Sequence, residues 1–455
     1  MPLSREIIDR TLASPQGEGA YAVCEALLDA GHEAWWVGGA VRDMLLGAIP
    51  EDIDIATSAT PEQVRAIFPE ADLSAAALGA AKVEKRGRTF ELTTFRTEDE
   101  ASDGRRPETV TFGSRDDDAA RRDFTVNCLY WQPISRELSD SYAGEKDLSE
   151  RLVRFIGEPV VRIRHDALRL LRAIRLRAAI DGQYEPTTHA ALRSEASLLA
   201  GLSGPRVLQE LEKLLAGPSP DRALRDWEET GALEVLLPEL RACRGIAQPR
   251  DYHREGDVLE HLLHCVASFR VDDGADVRLA ALLHDAGKVV TFALEERIRF
   301  DGHASASAEI AEAILTRLQC PVRRREKIEW LVRHHMHMVF LELSEERKAH
   351  WYFHPWFAEL LQLFRLDIAG TDPSDYGLLE RIIHDRDVFL DAHPRPEKPL
   401  LDGEAIMTLL GLRPGAEVGR LTRELLLAQT RKEVTTKKEA IAFLESLGRS
   451  AEAQS

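Results

Sequence analysis

WWVGGAVRDMLLGAIPEDIDIAT, residues 35–57, carries two signals within one short span. The apolar, β-prone run AWWV at 34–37 ends in Gly38-Gly39, and AVRDMLLG after it reads as a helix. Glycines at such a strand-to-helix turn let backbone N–H groups approach a phosphate, and the helix N-terminus adds a favourable field. Arg42, in the first helical turn, could reach the same anion. Further on, IDIAT (53–57) alternates with period two, so Asp52 and Asp54, at i and i+2 on a strand, point to one face of a sheet. Two carboxylates on one face suit a divalent metal with oxygen ligands, and with a second metal they can clamp the attacking and leaving oxygens of a phosphoryl transfer. A bare D-x-D is usually two solvated aspartates. The G-G-x-x-R-D turn at short range favours the metal reading here.

Around this block the first 150 or so residues mix strands and helices. TPEQVRAIF (60–68) has a Thr cap, Pro at the first helical position and an early Glu, which predicts a helix. AAKVEKRGRTFELTTFR predicts a hairpin turning near Gly87, and ETVTFG a further short strand. RRDFTVN offers Arg121 and Arg122 to a triphosphate, Asp123 as acceptor for a ribose hydroxyl, and Asn127 to fix the strand. From about residue 160 the strand signals stop and helical periodicity takes over. The helix expected from Arg162 to Arg177 carries six arginines and one acid, Asp166, in an otherwise acidic chain. Asp166, Arg169 and Arg172 recur every three residues on a broad stripe, with Leu168, Leu171 and Ile174 facing the body. An Asp with an Arg presents an acceptor and fork-shaped donors, enough to imitate a Watson–Crick edge.

The next segment, about 250–390, is helical and rich in histidine. It holds VLEHLLHCV, AALLHDAGK, GHASASAEIA, WLVRHHM and LFRLDIAGTD. Imidazoles and carboxylates gathered from several helices can hold one or two divalent metals, and metal-bound water can hydrolyse a phosphoester. PRPEKP (394–399) reads as a linker before a short helical C-terminal unit.

The 455 residues suggest about three domains. With 44% hydrophobic and 30% charged residues, the composition excludes a mainly disordered, collagenous or membrane-embedded chain. No stretch approaches the roughly 18 apolar residues of a bilayer span, and the N-terminus lacks the plan of a secretory signal. Cys24, Cys128, Cys243, Cys265 and Cys320 form no C-x-x-C pair, which argues against a disulfide framework and a zinc-thiolate site and fits a reducing cytoplasm. The balance of 59 basic and 77 acidic residues, net −18, disfavours wholesale coating of nucleic acid but allows a local basic track.

The block VGGAVRDMLLG…EDIDIAT resembles the signature of the bacterial-type (class II) tRNA nucleotidyltransferase/poly(A) polymerase family. TFRTEDEASDGRRPETVTFG (94–113) resembles that family's loop and flanking strands, RRDFTVNCLYW (121–131) its ribose motif, and DSYAGEKDLSERLVRFIG (140–157) its head-to-neck segment. HDALRLLRAIRLRA (165–178) resembles the base-reading helix, and PLLDGEAIMTLLGLRPGAEVGRL and EVTTKKEAIAFL the C-terminal region. The histidine-rich segment resembles an HD phosphohydrolase domain.

The resemblance implies an α+β chain: a small mixed-sheet nucleotidyltransferase head (25–158), an all-α neck with the base-reading helix and an RNA-binding surface (159–245), an HD domain (246–392) and a C-terminal helical tRNA-binding unit (393–455). It implies template-independent addition of CCA to tRNA 3′ ends from CTP and ATP, releasing pyrophosphate. Asp52 and Asp54 would hold Mg²⁺; the motifs do not identify a third carboxylate, for which Glu91 and Asp123 are the candidates. Gly39, Arg42 and Arg122 would hold the triphosphate, and Asp123 the sugar. Asp166 and Arg169 would select the base, with Arg172 and Arg175 in support. His261, His284, Asp285 and Asp367 would hold an unidentified divalent metal, with His303 and His334 or His335 adding to it. Arg431, Lys432, Lys437 and Lys438 could contact tRNA phosphates. His165 stands where the family usually has Glu, and Ala101 where an aromatic is frequent. Asp103, Gly104, Arg105 and Arg106 in the loop favour full CCA addition. Alternatives are a poly(A) polymerase, a CC-only or A-only enzyme, and, from another class, an HD phosphohydrolase whose head binds RNA.

Overall fold

The computed structural model describes residues 3–97, 111–249, 251, 253–294, 296–340, 345–393, 398–430 and 433–452. Asp103, Gly104, Arg105, Arg106 and Ala101 of the loop, most of the 394–399 linker, and Arg431 and Lys432 lie outside them. The chain forms two compact units, residues 1–241 with 317–319, and 242–316 with 320–455.

The first unit holds a six-stranded sheet of β1 (Ala34–Val37), β2 (Asp54–Thr57), β3 (Ala80–Lys85), β4 (Arg88–Thr94), β5 (Leu129–Gln132) and β6 (Glu137–Asp140), in the order β3-β4-β2-β1-β5-β6. β2 and β4 run parallel and the other neighbours antiparallel. The turn between β3 and β4 is at Arg86-Gly87, both with positive φ, which a two-residue hairpin turn requires. Trp36, Ile55, Leu92 and Trp131 are buried on one face, with Trp36 and Trp131 meeting edge-on at 4.9 Å. The helix Pro15–Asp29 packs on this face, and at Gly19 an added Cβ would come within 2.6 Å of the Phe90 ring. The opposite face carries Val37, Asp54, Glu91 and Thr93.

Pro61–Ile67 is the helix expected after Thr60, closed by a capping box between Thr60 and Gln63. Three expectations need correction. ETVTFG is no strand in its described residues: Phe112 makes one isolated bridge to Arg96. The strands do not stop at 160. Leu152–Val153 pairs with Gln183–Tyr184, and Ala293–Leu294 with Ile298–Arg299. These two-residue strands are too short to show a period. The arginine-rich helix is two helices, Pro159–His165 and Leu168–Ala179, because Asp166 is extended (φ −151°, ψ 104°). Its carboxylate accepts from Leu168 N–H at 3.2 Å and so caps the second helix. Leu171 and Ile174 are buried as expected, and Leu168 is half-buried.

The second unit is helical apart from the short hairpin. Val258–Ala267, Ala275–Leu283, His303–Arg317, Val322–His334 and Phe357–Gly370 are its main helices. Residues 400–447 form a separate small core around Ile406, Leu421, Leu425, Ala440 and Leu444. Among the described residues no helix is long and apolar enough to cross a membrane.

Candidate active site and candidate metal centre

Strand register gathers the first site. Val37 pairs with Asp54 across β1 and β2, and with Tyr130 across β1 and β5, so the glycine turn, the first carboxylate and the RRDFTVN segment meet at one end of the sheet. Gly38 has φ +67° and ψ −126°, a conformation suited to glycine, and an added Cβ would lie 3.5 Å from Arg122 Nη1. The strand begins at Asp54, so Asp52 lies just ahead of β2 rather than on it. The alternation nevertheless extends to it, with Asp52 and Asp54 exposed and Ile53 and Ile55 buried. Ile55 pairs with Leu92, which sets Glu91 beside Asp54 across β2 and β4. Partial enclosure, then the charges of Glu91 and Asp52, raise the Asp54 pKa, against the pull of Arg122. With Asp52 and Glu91 close enough to oppose ionisation of Asp54, the three carboxylates are an all-oxygen donor set suited to a hard divalent cation.

The cleft as a whole measures about 470 Å³, and beyond the carboxylates it is lined by cations and by the neck helices. Arg96, Arg121 and Arg122 form its basic wall. Enclosure and the neighbouring Arg121 lower the Arg96 pKa to about 10. Asp118, fully buried, organises the wall. It accepts from Arg121 Nε at 2.8 Å, Arg122 Nη2 at 3.1 Å and Tyr130 Oη at 2.6 Å. Burial opposes its charge, but Arg122 and Arg121 hold its carboxyl below the usual range. An Asp118→Asn variant is therefore expected to lose about 3 kcal/mol of stability near neutral pH. The native pKa is depressed, so this ionic contribution is complete above the unfolded value near 4 and is lost as pH falls through the native one. Urea unfolding should show a constant gap between variant and wild type from about pH 5 upward, closing only at lower pH.

The neck supplies the remaining groups. Arg172 Nε donates to Asp123 Oδ2 at 2.8 Å, and Asp123 also accepts from Phe124 N–H at 2.9 Å. Arg162 Nη2 donates to the Arg122 carbonyl at 2.8 Å, tying the neck helix to the arginine pair. Asp166 is not paired with Arg169: Arg206 Nη2 reaches both its oxygens at 2.9 Å, while Arg169 Nη1 donates to the Arg162 carbonyl at 3.1 Å. Gly39, Asp54, Arg122, Asp123, Asp166, Arg169 and Arg172 all line the cleft. Asp52, Arg42 and Arg175 do not. Arg42 donates to Asn127 Oδ1 at 2.8 Å and to Asp43, and Arg175 Nε to buried Glu210 at 2.9 Å, so both brace the walls.

The second unit holds the other cluster. His261 Nε2 lies 3.1 Å from Asp367 Oδ1, 3.6 Å from Asp285 Oδ2 and 3.3 Å from His284 Nε2. Asp285 Oδ1 faces His303 Nε2 at 3.4 Å and His335 Nε2 at 3.7 Å. His284, His303 and His335 each set Nδ1 against a backbone carbonyl at 2.7–2.8 Å, and Glu255 Oε1 lies 3.1 Å from His261 Nδ1. The Nε2 atoms are thereby turned inward as ligands. Those of His303 and His335, residues 9% and 1% exposed, have no hydrogen-bond partner. Burial opposes the charge on Asp285, yet Lys288, with Nζ at 2.6 Å, and His284 hold its carboxyl well below the usual range. The residues fit a metal. Of the two downstream histidines it is His335 that joins the cluster; His334 lies against Trp330 at 4.6 Å.

Residues 34–154 match the family described as "Poly A polymerase head domain", 183–243 that described as "Probable RNA and SrmB- binding site of polymerase A", and 258–390 the HD domain. The CC-adding tRNA nucleotidyltransferase of Thermus thermophilus is 36% identical over 90% of this chain and 93% of its own length. The A-adding tRNA nucleotidyltransferase of Deinococcus radiodurans is 34% identical over 90% and 94%. The chain belongs to the tRNA nucleotidyltransferase family. Among solved structures of tRNA nucleotidyltransferases, the Bacillus stearothermophilus CCA-adding enzyme in complex with CTP superposes with a TM-score of 0.63 at 27% identity, covering 97% of this chain and 100% of that one.

Several groups at these tRNA nucleotidyltransferase sites escaped the reading of the sequence. Arg206 and Glu210 lie on the helix Gly204–Leu215, far along the chain from Asp166 and Arg175, and nothing local points to them. Arg96 was seen only as part of a strand beside a loop. Cys265 had a usable signal, its i+4 spacing from His261. With Asp166 held by Arg206, an Arg206→Ala variant is expected to lower discrimination of CTP and ATP against UTP and GTP about tenfold, read as ratios of kcat/KM. Arg206→Lys should restore part of it.

Proposed function

We propose that this chain adds C, C and A to tRNA 3′ ends without a template, using CTP and ATP and releasing pyrophosphate, in the cytoplasm. The observation that carries this is the convergence in one cleft of carboxylates, a basic wall and the side chains of Asp166 and Arg169, in a chain similar along nearly its whole length to tRNA nucleotidyltransferases. The chain would act as a head (25–158), neck (159–245), HD domain (246–392) and C-terminal unit (393–455).

Asp52, Asp54 and Glu91 would hold Mg²⁺, which when bound lowers the pKa of the tRNA 3′-hydroxyl and offsets charge at the α-phosphate. Asp123 is committed to Arg172, which favours Glu91 as third carboxylate. Arg96, Arg121 and Arg122 orient the triphosphate and balance the charge that builds on the leaving pyrophosphate. Arg42 supports this wall through Asn127. Asp123 and Arg172 hold the ribose end. Asp166 and Arg169 present an acceptor and donors to the base edge, so the protein itself reads the base. Arg175, through Glu210, stiffens the helix behind them. Lys437 and Lys438, exposed at the start of Lys437–Glu452, would meet tRNA phosphates. His261, His284, Asp285 and Asp367 would hold a divalent metal for hydrolysis of phosphoesters, a second activity.

The test is incorporation of each of the four nucleotides into tRNA lacking CCA and tRNA ending in CC, with an Asp52→Ala/Asp54→Ala control. CTP should extend the first and ATP the second, with UTP and GTP excluded. A narrower reading, addition of CC or A alone, corresponds to the names of the Thermus and Deinococcus relatives. It predicts that only one of the two substrates is extended.

A further inference from the structure

None of the five cysteines is in a disulfide, all are buried, and among the described residues one of them belongs to a group of potential metal ligands. Cys265 follows His261 by four residues on Val258–Ala267, so both side chains leave the same face of the helix one turn apart. Its Sγ lies 3.5 Å from His261 Nε2, and the ligand atoms of His261, Cys265, His284 and Asp367 all lie within 4.8 Å of one another. The fold makes room for this sulfur. Gly370 sits one turn beyond Asp367 on Phe357–Gly370, and a Cβ there would lie 2.3 Å from Sγ and 2.9 Å from the Cys265 nitrogen. The helix that carries Asp367 therefore approaches the helix that carries His261 and Cys265 only because position 370 has no side chain.

A buried cysteine is most often a small apolar residue. Here the thiol instead faces imidazoles and a carboxylate. Independently, the Nε2 atoms of His303 and His335 make no hydrogen bond and face the Asp285 carboxylate at 3.4 and 3.7 Å, which adds two inward nitrogen donors to the same cavity.

We propose that Cys265 is a metal ligand of the HD centre, and that its thiolate biases the centre toward borderline metals such as Zn²⁺ and Co²⁺ over Mg²⁺. This rests on the reading of His261, His284, Asp285 and Asp367 as a metal site. On binding, the sulfur forms its bond to the metal and the thiol proton leaves to solvent, so metal uptake releases one proton more than in a chain without the thiol.

The experiment is titration of the full-length, metal-free chain with Co²⁺ alone, followed by absorption. It is run on wild type, Cys265→Ser and His284→Ala, with thermal unfolding of each metal-free protein as the check on folding. The expected result is a near-ultraviolet sulfur-to-cobalt charge-transfer band that saturates together with the cobalt d–d bands. Cys265→Ser should lose that band, keep d–d bands and bind about tenfold more weakly or worse. His284→Ala should lose or alter both sets. Should wild type show d–d bands sensitive to His284→Ala but no charge-transfer band, the metal site stands and the thiol ligand is overturned. A charge-transfer band that survives in Cys265→Ser also overturns it, since another sulfur is then the ligand. Cobalt spectra indifferent to His284→Ala overturn both the thiol ligand and the HD metal site. The wild-type spectrum decides the matter even if Cys265→Ser folds poorly.

Discussion

An Asp54→Ala variant is expected to add nucleotides at least about a thousandfold more slowly than wild type, with the fold intact. Asp54 opens β2 on the cleft side, exposed, so its removal leaves no cavity in the core. Its carboxylate is already strained by partial enclosure and by Glu91 and Asp52, so the metal-free variant should unfold no earlier than wild type. What is lost is the centre of the all-oxygen donor set. Asp52→Ala should follow the same pattern. Glu91→Gln, which keeps shape and one acceptor oxygen, should cost less, about ten- to a hundredfold. Single-turnover incorporation at saturating nucleotide reads the chemical step, and thermal unfolding reads the fold. A loss below tenfold for Asp54→Ala would remove this carboxylate from the reaction.

The second large effect is expected at Asp285. Its Oδ2 faces His261 and His284, and its Oδ1 faces His303 and His335, so one carboxylate joins both halves of the cluster. Asp285→Asn should abolish divalent-metal binding by the HD unit and lower hydrolysis of bis-p-nitrophenyl phosphate at least about a hundredfold. Nucleotide addition should stay within about twofold, since the two sites lie in separate compact units. Lys288 loses its buried counter-ion in this variant, so some stability is lost as well and the assays belong below the unfolding transition. Hydrolysis that persists in Asp285→Asn would place the phosphoesterase chemistry elsewhere or dismiss it.

How much of this was legible depended on how local each signal is. The glycine turn, the D-x-D and the hairpin at Arg86-Gly87 are written in adjacent residues, and the structure has each of them at its expected place within a residue or so. Strand register then carries Glu91 to Asp54, a contact that no spacing along the chain reveals. The break at Asp166 was missed because neither Gly nor Pro marks it. The residue caps the following helix through its own carboxylate, and an aspartate inside an arginine-rich periodic run passes for an intrahelical ion pair. The Asp166–Arg206 and Arg175–Glu210 pairs join different helices and depend wholly on packing. In the HD unit the H-D pair was visible by itself. The choice between His334 and His335 was not, because adjacent residues at a helix end differ only in which way the turn points them. The thiol was set aside because cysteine spacing was compared with zinc-thiolate patterns, whereas Cys265 shares its helix face with a histidine.

The most direct measurement is sequencing of tRNA 3′ ends after the purified chain has acted, with Mg²⁺, on tRNA lacking CCA, given CTP alone, ATP alone, or both. Full CCA addition predicts ends in CC with CTP alone, no extension with ATP alone, and a single closing A with both. Long A tails, or ends that stop at CC when ATP is present, would contradict it.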